Sequence, residues 1–249
     1  MTVTIDDFLG GALHIEQAKN GYRAGLDPVF LAAACPCSAG DLVLDLGCGH
    51  GVAALCLASR VSGVHAVGVD DDLDQLTRGV RNAARNPVAA KLSWLAGRAP
   101  DLPLPAGHFD HIITNPPFLA AGTARASDNP AKRRATIESI PLAAWLACAW
   151  RHLKPGGSLT IIHRGDRLFD VISALDNHGR GTAIFPLWPA SGTSVAERVI
   201  VKAVKGNKAP MALLQGMVVH TDQGGFTPSA QAVLRGGGAV SWRSSDKEK

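Results

Sequence analysis

One stretch restricts this chain more than any other: Leu42-Val-Leu-Asp-Leu46, then Gly47-Cys-Gly49-His-Gly51, then Val52–Arg60. A short, mostly branched apolar run closed by glycines and followed by a helix-forming run reads as strand, turn and helix. That unit builds parallel α/β sheets. Its glycines let the backbone approach a ligand closely, and the helix start offers N–H groups and a partial positive charge to an anionic group. At 249 residues the chain suits one large domain and is too short for two of ordinary size. Residues 1–240 are therefore read as a single domain with an entry segment over 1–38, and 241–249 as a disordered tail.

The next strand, His65 to Val69, ends at Asp70, nineteen residues after Gly51, where a carboxylate can accept both hydroxyls of a ribose. A nicotinamide fold uses a similar pair of signals but requires G-x-G-x-x-G. Here the third glycine, Gly51, comes one place early, and Val52 stands where it belongs. A helix follows over Leu73 to Asn86. Its Arg78, Arg81 and Arg85 lie three or four residues apart, either a solvated face or a phosphate-facing stripe. Then come a strand near Lys91 to Leu95 and a turn at Ala96-Gly97-Arg98.

Asp110-His-Ile-Ile-Thr-Asn-Pro-Pro-Phe118 carries the strongest chemical signal. Phe109 to Thr114 is a core strand, and neither Pro116 nor Pro117 can donate to a sheet ladder, so Asn115 is held at the strand's C-terminal end. Ligands bind at that edge of an open α/β sheet. Beyond it, the run 120–135 carries Arg125, Lys132, Arg133 and Arg134 against Asp128, a solvated loop or a lid that contacts phosphate. Leu142 to Leu153 reads as a helix stopped by Lys154-Pro-Gly-Gly157, Ser158 to His163 as a strand, and Arg167 to Asn177 as a helix. Ile184 to Leu187 and Arg198 to Ala203 form a reversed hairpin, with Pro186 indicating an edge. Asp27 before Pro28, and Thr227 before Pro228, look like N-caps; for Asp27 a ligand contact is the alternative.

The 46% hydrophobic and 18% charged content is that of a folded globular chain. Asp6 and Asp7 argue against a secretory signal, and the most apolar run, Leu142 to Trp150, is too short to span a bilayer, so a cytoplasmic protein is expected. The five cysteines lack paired metal-site spacing, and buried thiols are expected, Cys35-Pro-Cys37 included. A net charge of +4 suits a polyanionic partner without requiring one.

Asn115-Pro-Pro-Phe118 at a strand end resembles the amino-methyltransferase motif of class I S-adenosylmethionine enzymes. The chemistry accounts for the residues: an exocyclic amino nitrogen is a weak nucleophile because its lone pair is delocalised into the ring. Two oxygens, from the Asn115 side chain and the Pro116 carbonyl, can each accept one amino hydrogen and localise that lone pair. Phe118 can stack on a base withdrawn from its helix or loop.

Phe8-Leu-Gly-Gly with Gly21-Tyr-Arg-Ala-Gly-Leu-Asp27, and Val218-Val-His-Thr-Asp-Gln-Gly-Gly-Phe226-Thr-Pro with Ala232-Val-Leu-Arg-Gly-Gly237, narrow the resemblance. Across nearly the whole chain it is similar to the bacterial tRNA(Val) adenine-N6-methyltransferase family. That resemblance implies a Rossmann-like α/β fold, a seven-stranded, mostly parallel sheet with one reversed hairpin strand and helices on both faces. It also implies S-adenosylmethionine as cofactor, tRNA as substrate, and no metal or membrane. Asn115, Pro116, Pro117 and Phe118 become the catalytic and base-holding set. Gly25, Asp27, Asp45, Gly47, Gly49, Gly51, Asp70, Gly97 and Asn115 become cofactor contacts, the glycine turn taking the methionine carboxylate and Asp45 its ammonium. Arg98 departs from the pattern, because many such enzymes place an acid there for the cofactor's adenine; backbone groups or Asp101 are the substitutes. Related motifs serve guanine-N2 and protein-glutamine methylation, and a catalytically silent cofactor-binding module is the remaining alternative.

Overall fold

A computed structural model describes residues 2–20, 23–88, 91–118, 140–175 and 181–242. The entry segment is an antiparallel hairpin, β1 (Val3–Phe8) and β2 (Leu13–Ala18), folded around a 3-10 turn at Leu9–Gly11 and followed by α1 (Asp27–Ala34). Strands and helices then succeed one another: β3 (Leu42–Leu46), α2 (Val52–Arg60), β4 (His65–Asp70), α3 (Leu73–Arg85), β5 (Leu92–Ala96), β6 (Phe109–Thr114), α4 (Leu142–His152), β7 (Leu153–Arg164) and α5 (Leu168–Leu175). The remainder is β8 (Ala183–Ala190), β9 (Arg198–Val204), the short β10 (Ala212–Leu213) and β11 (Met217–His220), and α6 (Pro228–Leu234).

The main sheet has the order β10-β8-β9-β7-β6-β3-β4-β5, with β11 also on β8. Strands β3 to β7 pair in parallel, and β9 runs antiparallel to both β7 and β8. This is the expected mostly parallel sheet with a reversed strand, extended by two short strands that share the outer side of β8. Pro186 is therefore not on a bare edge. Pairing of β10 ends at Ile184 and pairing of β11 begins at Leu187, so the residue without an N–H falls in the gap between them. Strand β7 also starts earlier than expected. Its glycine turn is absorbed as a register shift, with Phe109 opposite Leu153 and His111 opposite Ser158, and Gly156 and Gly157 bond to Lys205 beyond β9.

Alternating side chains build a core on each face. Val43, Ile113, Ile162 and Ile200 join α1, α2 and α6 on one side. Leu44, Leu46, Ile112, Ile161 and Val201 join α4 and α5 on the other. The five cysteines are free and buried. Among the described residues no helix is long and apolar enough to cross a membrane.

The hairpin is fastened to α3 by amides. Asn82 Oδ1 accepts from the Glu16 N–H at 2.7 Å and Asn86 Oδ1 from the His14 N–H at 2.9 Å, while their side-chain nitrogens donate to the carbonyls of the same two residues. Two asparagines four apart on one helix face thus complete the free edge of β2 as a third strand would. The arginine stripe converges on one acid of the hairpin, Arg78 buried and the Arg81 and Arg85 side chains still 50% and 42% exposed. Arg78 Nε, Arg81 Nη2 and Arg85 Nη2 lie 3.7, 2.6 and 3.7 Å from the Glu16 carboxylate.

Both proposed caps are resolved. Thr227 accepts from the Ala230 N–H at 3.2 Å and caps α6. Asp27 does not cap α1: Leu26 is the N-cap, and the Asp27 carboxylate accepts from Arg198 Nε at 2.9 Å. Ser241 and Trp242 begin the segment expected to be a tail. The Trp242 indole donates to the Ala34 carbonyl at 2.9 Å and packs on Phe185; residues 243–249 lie outside the described set, as do the basic run 120–135 and Gly21 and Tyr22.

Glu16 is 7% and Arg78 6% exposed, so neutralising the acid strands a buried guanidinium. Glu16→Gln preserves the side-chain shape and should lower the unfolding free energy by about 3 kcal/mol. Urea unfolding monitored by circular dichroism reads the change, and a loss below about 1 kcal/mol would mean that water serves Arg78 as well as Glu16 does.

Candidate active site

Leu95, Val69, Leu46, Thr114 and Ile161 are paired in one row across β5, β4, β3, β6 and β7. Because these strands are parallel, the C-terminal ends of β3, β4, β5 and β6 finish together, while β7 runs on to Arg164. The residues immediately after the row on the three central strands are Asp70, Gly47 and Asn115. They line one cleft with Asp45, Gly49, Gly97, Pro117 and Phe118.

The other residues singled out in the sequence stand elsewhere. Pro116 and Asp27 are not on the cleft wall, and Gly25 lines a separate groove with Phe8 and Arg235. Gly51 is absent from the wall too. It has φ +84°, and a Cβ there would come within 2.1 Å of the Trp94 indole, which also covers Gly68 and Gly79. The early third glycine thus serves packing: one indole fills the space that three missing side chains leave beneath the turn.

Gly47 has φ +73°, and a Cβ would lie 2.7 Å from the ring of Trp145. That tryptophan donates from Nε1 to Thr114 Oγ1 at 2.9 Å, and Thr114 Oγ1 donates to the Leu46 carbonyl at 2.8 Å. The ends of β3 and β6 are thereby bolted together beneath the cleft.

Asp70 orders the glycine turn, its Oδ2 accepting from the Gly49 N–H at 2.8 Å and its Oδ1 from the Asp72 N–H at 3.0 Å. Asp45 is 2% exposed and accepts from the Ala54 N–H at 3.1 Å, in the first turn of α2. Burial pushes the Asp45 carboxyl up to about 7, partly opposed by that bond and reinforced by the charge of Asp70, and burial raises Asp70 as well. The cleft therefore contains two acids that a cationic ligand would relieve. Asn115 presents the opposite deficiency. Its Oδ1 is buried and has no hydrogen-bond partner among the described residues.

Two wall residues carried no decisive signal in the sequence. His50, buried inside the glycine turn, donates from Nε2 to Gln17 Oε1 at 3.2 Å, the same oxygen that accepts from the Ala24 N–H. Burial lowers its pKa to about 4, so it is a neutral strut between the turn and β2. Trp145 stands in the apolar helical run, where only its indole N–H hinted at a polar task. At the far end of the cleft, Arg98 is exposed with its Nε 3.5 Å from Asp71 Oδ2, and both line the wall; Asp101 does not. Among the described residues no cluster of three His, Cys, Asp or Glu side chains could hold a metal.

Residues 28–175 match the model of the family described as methyltransferase small domain. The chain is 29% identical over 170 residues to a tRNA1(Val) (adenine(37)-N6)-methyltransferase of Aeromonas salmonicida, covering 67% of this chain and 71% of that one. It is 26% identical over 222 residues to a protein of the same name from Dickeya chrysanthemi, covering 86% of each. Among solved structures, one described as a predicted O-methyltransferase from Agrobacterium tumefaciens superposes with a TM-score of 0.70 at 24% identity, over 87% of this chain and 99% of that chain. That likeness establishes the fold.

Asp45 gives the cleft a pH signature. A carboxyl raised from 3.8 to about 7 favours its neutral form in the folded state, so the contribution to stability is whole below about pH 4 and is lost as pH rises through 7. Asp45→Asn is indifferent to this window. The stability of the variant relative to wild type should climb from pH 4 to pH 8 by an amount on the order of 4 kcal/mol at most. Parallel thermal melts across that range test it, and a pH-independent difference would place the Asp45 pKa near its ordinary value.

Proposed function

This chain belongs to the family of the methyltransferase small domain, and from that membership we propose that it transfers a methyl group from S-adenosylmethionine to the exocyclic N6 of an adenine in tRNA. One observation carries the choice of acceptor: the buried Asn115 Oδ1, without a hydrogen-bond partner among the described residues, on the wall of a cleft it shares with Gly47 and Asp70. A buried oxygen left without a donor costs about 1–3 kcal/mol. An amino group entering the cleft removes that cost.

The cleft fits the cofactor on its own chemistry. Asp45 is a buried acid and Asp70 a half-buried one, and a positive ligand would bring down their raised pKa values, which suits the ammonium and sulfonium charges. In this reading Gly47 and Gly49 allow close backbone approach, Asp70 takes the ribose hydroxyls, and Gly97 and Arg98 border the base. When bound, S-adenosylmethionine supplies an electrophilic methyl carbon. The chain's own residues do the rest by position. Asn115 Oδ1 and the Pro116 carbonyl each accept one hydrogen of the acceptor amine, drawing its nitrogen from planar toward tetrahedral and localising the lone pair. Phe118 packs against the base. After transfer the nitrogen carries one proton too many, which passes to water because neither oxygen is basic enough to retain it. No general base is required, and alignment of this kind can supply roughly 7–11 kcal/mol.

The names of the relatives support tRNA as the acceptor and, with it, a cytoplasmic setting. In this reading residues 1–240 are one functional unit, the hairpin packing on α2 and α3 and the C-terminal strands extending the main sheet.

Incubated with S-adenosylmethionine and total tRNA, the protein should yield N6-methyladenosine on nucleoside mass spectrometry. Asn115→Ala should slow the reaction by roughly two to three orders of magnitude while leaving cofactor binding, measured by calorimetry, intact. N2-methylguanosine or methylated protein glutamine as the product instead would reassign the acceptor, and full activity of Asn115→Ala would remove the amide from the mechanism.

A further inference from the structure

Phe118 is gripped from outside the cleft. The Arg198 guanidinium lies over its ring, with Cζ 5.4 Å from the centroid. His163 stands at 90° to it with centroids 5.4 Å apart, and Arg167 Nη1 donates to its carbonyl at 2.8 Å. Arg198 is itself anchored, since its Nε donates to Asp27 Oδ2 at 2.9 Å in a largely buried pair. These contacts bring the first residue of α1 and the first residue of the reversed strand β9 together behind one aromatic ring.

We infer that Arg198 is a positioning residue for methyl transfer, setting the plane of Phe118 against which the acceptor base packs, with Asp27 holding the guanidinium in place. The inference rests on the reading of Phe118 as the base-holding residue. Pro116 and Pro117 fix the backbone before Phe118 but leave its two side-chain torsions open. A ring free to turn would let the base slide, and a displacement near 1 Å between reacting atoms costs about a hundredfold in rate. Arginine suits the task because its planar group can lie on a ring face while keeping an in-plane bond to a carboxylate, which a lysine ammonium cannot do. His163 completes the frame without adding charge. Its Nδ1 accepts from the Arg164 N–H at 3.0 Å, which puts the proton on Nε2, and burial keeps the ring neutral by lowering its pKa to about 4. Asp27 then has a structural partner 171 residues away and no opening toward the cofactor cleft.

The test compares wild type with Arg198→Ala, Arg198→Lys and Asp27→Asn for thermal unfolding, S-adenosylmethionine affinity by calorimetry, and kcat and KM on total tRNA. Arg198→Ala should lose roughly 10- to 100-fold in kcat, with melting temperature and cofactor affinity near wild type and KM changed far less. Arg198→Lys should recover little of this, and Asp27→Asn should fall between. If Arg198 only contacts RNA phosphate, KM rises in a salt-dependent manner with kcat unchanged, and the inference fails. It fails too if Arg198→Lys restores the full rate, or if Asp27→Asn loses cofactor binding rather than kcat. Should Arg198→Ala not fold, Asp27→Asn decides, since it removes only the charge that holds the guanidinium; unchanged kcat overturns the proposal. A wild-type protein that binds S-adenosylmethionine but methylates no tRNA overturns the function on which the inference rests, whereas an active wild type matched by Arg198→Ala overturns the inference alone.

Discussion

Thr114 sits opposite Leu46 and donates its hydroxyl to the Leu46 carbonyl, and the whole active end of the sheet depends on that register. Strand pairing has a period of two, so a slip of one residue would turn Ile112 and Ile113 to the wrong cores and carry Asn115 away from the glycine turn. The hydroxyl bond, the indole N–H of Trp145 upon it and the Trp145 ring against Gly47 hold the pairing from the ligand side. The two apolar cores hold it from above and below. With the row fixed, Gly47, Asp70 and Asn115 emerge side by side with no loop needed to bring them together.

The polar groups at the hairpin and in the cleft are met differently. On the hairpin Glu16 has three arginines, and Asn82 and Asn86 each serve both backbone groups of a β2 residue. In the cleft the buried Asp45 and the half-buried Asp70 accept backbone N–H bonds but have no opposing cation among the described residues, and Asn115 Oδ1 is a buried acceptor without a donor among them. Folding tolerates such groups only when packing around them over-determines their place, and they mark where a ligand completes the structure.

The sequence made the local elements readable and left the long-range fastenings hidden. Strands at Leu42–Leu46 and Phe109–Thr114 and the helix Val52–Arg60 have the boundaries that their apolar runs, glycines and prolines indicate, because those signals act between neighbours in the chain. Asp70 and Asn115 were legible for the same reason, each standing one step past such a strand. The Arg78, Arg81 and Arg85 stripe was ambiguous because its partner, Glu16, is more than sixty residues away on the entry hairpin. Asp27 looked like a cap because an acid before proline usually is one, and nothing near it announces Arg198. Gly51 reads as part of the glycine turn, and nothing near it in the chain announces the indole packed against it, which comes from β5.

In the proposed mechanism the acceptor amine is activated by alignment and not by a general base, so a misplaced atom is not compensated by proton transfer to a titrating side chain. Rigidity must do that work, and its sources are physically distinct. Prolines limit the backbone after Asn115, the paired row fixes the strand ends, and Trp94 and Trp145 fill the spaces that glycines leave behind the turn. The segments outside residues 28–175 supply the rest. The hairpin is tied to the glycine turn through Gln17 and His50, and the C-terminal segment to α1 through the Val240 N–H on the Ala33 carbonyl and Trp242 on that of Ala34. In a catalytic strategy founded on orientation these outer segments act as braces: the hairpin holds α3, and Val240 and Trp242 hold α1, helices that flank the sheet carrying the site.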